Sequence, residues 1–360
     1  MNAIAALRAT GQSLWLDNIT RTILDDGTLK RYIEDLGITG LTSNPTIFDE
    51  AIGASSAYDA GIRAKATAGL SGEALFTELA LEDLRRAADL FQPTFVATRG
   101  IDGWVSLEVS PLLAQDAAGT IAVAARLHAQ ASRSNLFIKI PGTPAGLGAI
   151  EESIFAGVPV NVTLLFSREQ YLAAAQAYLR GIERRVAAGR APRVASVASL
   201  FISRWDRAAN DRLPMALRNR LGVAIAQRTY RAYRDLYASA RWAPLARAGA
   251  MSQRLLWAST GTKDPQARDT LYVEALAAAD TIDTMPEKTL RALADHGSIQ
   301  GALDAASGDQ ETVIAGCAQA GVNVDTLAEQ LQRDGAAAFT QSWKSLLERI
   351  AAKSAALGAG

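Results

Sequence analysis

The sequence has little sulfur and little imidazole: one cysteine, Cys317, and two histidines, His128 and His296, in 360 residues. A lone thiol can neither close an intramolecular disulfide nor furnish a Cys-type zinc site, so a reducing, cytoplasmic compartment is the natural expectation. Two histidines are too few for a multi-His metal site, and no HExxH is present. An excess of one charge is missing as well. The 37 basic side chains balance 37 acidic ones, leaving no electrostatic footprint for nucleic acid or an anionic membrane. No apolar run reaches the ~18–20 residues that span a bilayer. The opening MNAIAALRATGQSLWLDNIT lacks the basic segment, apolar core and cleavage site of a secretory leader. Asn18-Ile-Thr20 and Asn161-Val-Thr163 therefore read as structural or catalytic residues, not glycan acceptors. What remains is an ordinary globular composition, 49% hydrophobic and 21% charged. If the chain is an enzyme, its chemistry rests mainly on Lys, Asp, Glu, Asn, Ser and Thr.

Strand-like runs recur along the chain, each followed by a helical pattern: SLWLDNI (13–19), ITGLTSNP (38–45), GWVSLEVSP (103–111), NLFIKIPG (135–142), PVNVTLLF (159–166), VASVASLFIS (194–203), RLLWASTG (254–261) and DTIDTMP (280–286). Eight strands alternating with helices predict an α/β (β/α)8 TIM barrel with additional helices. The expectation is one domain over 1–360, with helical insertions at about 50–100 and 205–250 and C-terminal helices at about 300–352. Ser167-Arg-Glu-Gln170 is a capping-box pattern. Phe339, Trp343, Leu346, Leu347 and Ile350 mark an amphipathic terminal helix that must cover the barrel. The Ala-rich tail from Lys353 is expected to fray. There is no Pro/Gly/Ser linker and no fixed-period repeat beyond the βα alternation.

Strand parity locates the chemistry, because successive side chains point to opposite faces. Val105, Leu107 and Val109 share one face; Trp104, Ser106 and Glu108 share the other. Leu136, Ile138 and Ile140 oppose Phe137 and Lys139. Val160, Val162 and Leu164 oppose Asn161 and Thr163, and Leu14 and Leu16 oppose Trp15 and Asp17. The aliphatic sets belong against the helices. Asp17, Glu108, Lys139, Asn161 and Thr163 then project into the barrel, mostly near the strand C-termini, where barrel enzymes hold their active sites. Burial disfavours an ammonium, and a neutral lysine condenses with ketones to a Schiff base whose iminium is an electron sink. Such chemistry needs carboxylates to move protons, and Glu108 and Asp17 are at hand. Taken alone, Lys139 is more simply a strand-end lysine reaching solvent; five polar residues of one parity on four strands outweigh that reading.

Other motifs are individually ambiguous. Thr42 and Asn44 share a face at the end of the second strand, yet Asn44-Pro45 is also a common strand-to-helix turn. Phe201 and Arg204 follow Ser199 at the end of the sixth strand, where a core aromatic beside a surface cation is the simpler account. Ser259-Thr-Gly-Thr-Lys263 has the small residues, hydroxyls and cation of a late-strand phosphate loop, without a Walker A pattern. His128 reads as a helix-surface or packing residue, His296 as a complement to a helix C-terminus, and Cys317 as a buried small hydrophobe.

In chain order, LWLDN, GLTSNPTIF, VSLEV, NLFIKIPGTPAG, NVTLLFS, SLFISR, WASTGTKDP and TMPEKTL resemble the transaldolase family, in its longer bacterial subgroup, over most of the chain. The resemblance implies a (β/α)8 barrel. It implies transfer of a dihydroxyacetone unit from sedoheptulose 7-phosphate to glyceraldehyde 3-phosphate, giving erythrose 4-phosphate and fructose 6-phosphate in the pentose phosphate pathway. Neither a metal nor an organic cofactor is implied; the partners are sugar phosphates. By position, Lys139 corresponds to the Schiff-base lysine and Glu108 to an acid/base glutamate acting through a water held with Thr163. Asp17 corresponds to the aspartate that handles the hydroxyl proton at the cleaved bond. Asn44 and Asn161 match residues that bind sugar hydroxyls, with Thr42 beside them, and Ser199 lies toward the dihydroxyacetone end. Phe201 lines the pocket and Arg204 binds phosphate. Many relatives carry a second arginine where this chain offers Ser259 and Lys263 in a longer loop, and lysine serves phosphate as a point charge. The competing readings are a Schiff-base aldolase releasing free dihydroxyacetone, a metal-dependent aldolase disfavoured by the histidine count, and a non-catalytic sugar-phosphate-binding barrel. The helix surfaces offer no decisive self-complementary patch, so a homo-oligomer stays open.

Overall fold

A computed structural model describes residues 2–306 and 308–358. Each strand-like run contains one strand: β1 Ser13–Asp17, β2 Gly40–Thr42, β3 Val105–Glu108, β4 Leu136–Pro141, β5 Val160–Leu165, β6 Ser196–Phe201, β7 Arg254–Ala258 and β8 Ile282–Met285. All pair in parallel in the order β2-β1-β8-β7-β6-β5-β4-β3. The remaining seam closes through a parallel bridge between Gly40 and Trp104. Leu41 N donates to Trp104 O at 2.9 Å, and Gly103 N donates to Thr39 O at 2.7 Å. Gly40 makes that closure fit: a Cβ there would lie 2.6 Å from Trp15 Cε2 and 2.7 Å from Trp104 O. The fold is a (β/α)8 barrel.

Alternation divides the apolar residues as the pleat requires. Leu14, Leu16, Val105, Leu107, Ile138, Ile140, Val160 and Val162 belong to the core between sheet and helices. Trp15, Trp104, Phe137, Val197, Leu256 and Ile282 belong to a second core inside the barrel. Trp104 stacks on Phe137 with ring centroids 4.0 Å apart, and Trp15 lies 6.3 Å from Phe137. This aromatic layer fills the barrel beneath the polar strand ends.

Leu164 departs from the expected alternation. The pairing of β5 with β6 shifts register between Val162 and Leu165, and Leu164 takes a φ of 59°. An extra residue at a bulge turns the following side chains to the other face. Leu165 therefore takes the helix-facing place predicted for Leu164, while Leu164 joins the inner core with Phe166. A branched residue in the left-handed region costs about 1–2 kcal/mol.

Three helices, Pro45–Ala54, Asp59–Thr67 and Gly72–Ala97, lie between β2 and β3; Ser203–Ala209, Leu221–Tyr237 and Trp242–Arg247 lie between β6 and β7. Ser167 Oγ caps its helix by accepting from Gln170 N at 3.1 Å. Gln170 Oε1 accepts from Phe166 N at 2.8 Å, one residue earlier than the usual reciprocal bond. His128 is half-buried in the helix Ala117–Ala131, His296 ends the helix Glu287–His296, and Cys317 is buried in Gln310–Gln319. The terminal helix Val324–Gly358 buries Phe339, Trp343, Leu346 and Ile350. Its tail does not fray at Lys353. Lys353 Nζ donates to Ser55 O at 2.8 Å and to Asp59 Oδ1 at 2.7 Å, and Arg63 Nε donates to Leu357 O at 3.3 Å. Those ties offset the weak packing of an alanine-rich end through Gly358; residues 359–360 lie outside the described residues. No helix of the described residues is long and apolar enough to cross a membrane.

Candidate active site

Asp17, Thr42, Glu108 and Phe201 are the last residues of β1, β2, β3 and β6. Register sets Asp17 opposite Thr42, Glu108 opposite Lys139, and Lys139 opposite Asn161. The predicted polar residues therefore meet at one level, at the C-terminal mouth of the barrel. Lys139 is 5% exposed, too enclosed for the strand-end lysine of the simpler reading. Its Nζ donates to Ser43 O at 3.2 Å and lies 3.5 Å from Glu108 Oε2. That separation makes an ion pair with poor hydrogen-bond geometry. Both Glu108 oxygens, and the buried Thr163 Oγ1, have no hydrogen-bond partner among the described residues.

Asp17 is half-buried and accepts from Thr42 Oγ1 at 2.7 Å; Thr42 Oγ1 lies equally close, 2.7 Å, to Thr284 Oγ1. Across the barrel, Ser199 Oγ donates to Asn161 Oδ1 at 2.7 Å, and Asn161 Nδ2 donates to Ser106 Oγ at 3.1 Å. Ser43 Oγ donates to Ser106 O at 2.7 Å. This network fixes the orientation of the buried amide. Burial raises the Asp17 carboxyl above its ordinary range, against the pull of the Lys139 charge, the Thr42 hydroxyl and the Lys263 charge. Burial likewise raises the Glu108 carboxyl; Lys139 opposes the shift, Asp17 adds to it, and Arg204 opposes it. The groups form one electrostatic cluster: a lysine flanked by two carboxyls whose protons are held more tightly than usual.

The rim carries the cations. Arg204, half-buried in the first turn of Ser203–Ala209, has its guanidinium carbon 4.9 Å from the Phe201 ring and 5.8 Å from the Phe339 ring. Burial, together with the Arg207 charge, lowers its pKa, and Glu108 opposes that shift. It forms no ion pair with a carboxylate among the described residues. Lys263 is exposed in the loop after β7, near enough for its charge to reach Asp17. Ser259 begins that loop at a φ of 57°. Its Oγ lies 3.0 Å from Ser203 Oγ and its carbonyl accepts from Ser203 N at 3.1 Å, tying the two cation-bearing segments together. Asn44 Oδ1 caps the helix Pro45–Ala54 by accepting from Ile47 N at 3.1 Å, so its turn role is realised at the rim.

Four participants escaped the sequence reading. Ser106 and Thr284 have inward parity and were legible as such. The Ser43 carbonyl carries no side-chain signal. Phe339 comes from the terminal helix, with its ring 5.9 Å from Lys139 Nζ; its amphipathic spacing marks burial but not what it covers. Among the described residues no group of three or more His, Cys, Asp or Glu is arranged to hold a metal ion.

Residues 14–350 match the family model described as Transaldolase/Fructose-6-phosphate aldolase. The chain is 44% identical to a protein named Transaldolase from Thermobifida fusca, over 97% of this chain and 98% of that one. It is 39% identical to Transaldolase 2 of Nostoc punctiforme, over 97% of each. It is 42% identical to the Transaldolase of Thiobacillus denitrificans, over 97% of this chain and 100% of that one.

Proposed function

This chain belongs to the transaldolase/fructose-6-phosphate aldolase family, and from that premise we propose that it is a transaldolase working through a Schiff base on Lys139. The reading assigns it transfer of a dihydroxyacetone unit from sedoheptulose 7-phosphate to glyceraldehyde 3-phosphate, in the pentose phosphate pathway and in the cytoplasm. The observation that carries it is Lys139 Nζ, enclosed at the barrel mouth 3.5 Å from Glu108 Oε2, with Asp17 in the same electrostatic cluster.

Lys139 Nζ attacks the ketose carbonyl carbon C2, and the carbinolamine loses water to give an iminium. Glu108 moves the protons of those steps through a water shared with Thr163, its two oxygens and the Thr163 hydroxyl being buried without a partner among the described residues. Asp17 takes the proton of the C4 hydroxyl as the C3–C4 bond breaks. The bonding pair flows into the iminium to form an enamine, and an aldehyde leaves. The enamine carbon then attacks the acceptor aldehyde, Asp17 returns the proton, and water releases the new ketose. Asn161, Ser199, Thr42 and Asn44 bind sugar hydroxyls, and Phe201 walls the pocket. Arg204 and Lys263 with Ser259 take the phosphate; Arg204 offers a fork and Lys263 a point charge.

Incubation with fructose 6-phosphate and borohydride should freeze a reduced adduct that peptide mass spectrometry maps to Lys139 and that Lys139→Arg abolishes. An adduct elsewhere, or none, overturns the mechanism. Product analysis with erythrose 4-phosphate present should give sedoheptulose 7-phosphate; accumulation of free dihydroxyacetone instead would make the chain an aldolase.

A further inference from the structure

A second cavity lies at the end of the barrel opposite Lys139. It has a volume of about 760 Å³ and is lined by residues at or just ahead of strand starts, among them Ser13, Asp102, Arg193, Arg254 and Asp280. The Trp15, Trp104 and Phe137 layer separates it from the catalytic cluster. In a chain of zero net charge, its lining includes four arginines, Arg99, Arg193, Arg234 and Arg254, against two aspartates, Asp102 and Asp280.

Two of those guanidiniums are already engaged. Arg254 pairs with Asp102 at 3.4 Å and donates to Ser13 Oγ at 2.6 Å and Thr281 O at 2.8 Å, so it builds the cavity floor. Arg234 pairs with Asp280 at 2.6 Å. Arg99 and Arg193 form no ion pair among the described residues, and the Arg193 guanidinium is steered to the Arg99 carbonyl, where it donates. They come from different segments, ahead of β3 and ahead of β6, and line the same space. Tyr237 and Trp242, whose rings meet edge to face at 4.8 Å, supply an apolar wall.

We propose that this cavity at the N-terminal end of the barrel is a second binding site, taking a phosphate-bearing small molecule held by Arg99 and Arg193 with its organic body against Tyr237 and Trp242. Two arginines from separate segments favour an anion with acceptor oxygens in more than one plane. A phosphoryl group provides three, whereas a carboxylate presents two in one plane. The volume falls in the range of small-molecule sites, about 300–1,000 Å³.

Pyrophosphate titrated into the full chain by calorimetry tests the site independently of catalysis. Binding should survive Arg204→Gln/Lys263→Gln and weaken at least tenfold in Arg99→Gln/Arg193→Gln, whose borohydride trapping at Lys139 stays unchanged. The converse pattern would place the phosphate in the catalytic mouth and overturn the proposal, as would no binding at all. Tighter binding of succinate than of pyrophosphate would overturn the assignment to phosphate. Both substituted side chains are exposed, so the thermal transition should hold. Should the double variant lose it, Arg193→Gln alone must still weaken binding.

Discussion

Asp17 shows how neighbours moderate the cost of burying a carboxyl, the Lys139 charge first and the Thr42 hydroxyl next. Burial raises Asp17, and the Thr42 hydroxyl at 2.7 Å is one of three influences that bring it back down. A bond cleavage that delivers a proton to Asp17 requires the carboxylate, so the acid limb of kcat/KM follows this group together with Glu108. Thr42→Val removes a lowering influence and keeps the shape; the limb should move to higher pH, with kcat reduced below it. A pH profile of fructose 6-phosphate turnover reads this directly, and an acid limb identical to the parent's would remove Asp17 from the role. The sign for stability follows from the same shifts. A carboxyl raised in the folded state binds protons more tightly there than in the unfolded chain. Its contribution is therefore complete at low pH and is lost as pH rises through the folded pKa. Parity made these residues legible, since Asp17, Glu108, Lys139, Asn161 and Thr163 all lie where alternation in four strands puts them. The same parity holds for Ser106 and Thr284, which lack the charge that draws attention to a residue.

At the level of elements, alternation fails where the backbone ceases to alternate. The bulge at Leu164 leaves no signature in VNVTLLF, because a leucine in the left-handed region is a product of tertiary context and not of propensity. The terminal helix was legible as amphipathic and as a cover for the barrel, but nothing local in Phe339 foretells a ring 5.9 Å from Lys139. Gly335 on that helix lets it come close. A Cβ there would lie 2.9 Å from Leu164 Cδ2 and 3.0 Å from Arg204 Nη1. Gly335→Ala gains about 1 kcal/mol of helix propensity but pushes on Arg204, the arginine proposed to take the phosphate. Misplacing one charge-assisted bond, worth about 1.5–3 kcal/mol, should raise KM for fructose 6-phosphate by about tenfold or more. Unphosphorylated fructose should be turned over as before, and the melting temperature should change little. Equal losses for both donors would mean that the helix shift reaches Lys139 and not Arg204 alone.

For the molecule as a whole, zero net charge decides how a phosphorylated substrate is attracted. With 37 charges of each sign there is no large uniform field to steer an anion from a distance, so attraction depends on cations at the mouth. The two proposed for this role differ in their surroundings. Lys263 is exposed, whereas Arg204 is half-buried between Phe201 and Phe339. Salt screens the first far more than the second, because the screening length shrinks from ~10 Å at about 0.1 M to ~3 Å at about 1 M in water but hardly applies to enclosed charges. Raising the salt from about 0.1 M to about 1 M should therefore increase KM for fructose 6-phosphate several-fold. The kcat should hold steady, since Lys139 and Glu108 are enclosed, out of reach of the solvent ions. Lys263→Gln should raise KM at low salt and flatten its dependence on salt. Arg204→Gln should raise KM about 10–100-fold at every salt concentration, the loss of one charge-assisted contact. Steady-state kinetics across a salt series separates the two. If the Lys263→Gln slope matches the parent's, the second phosphate contact belongs to Ser259 and the loop backbone, and the exposed lysine is only a solvated charge beside the mouth.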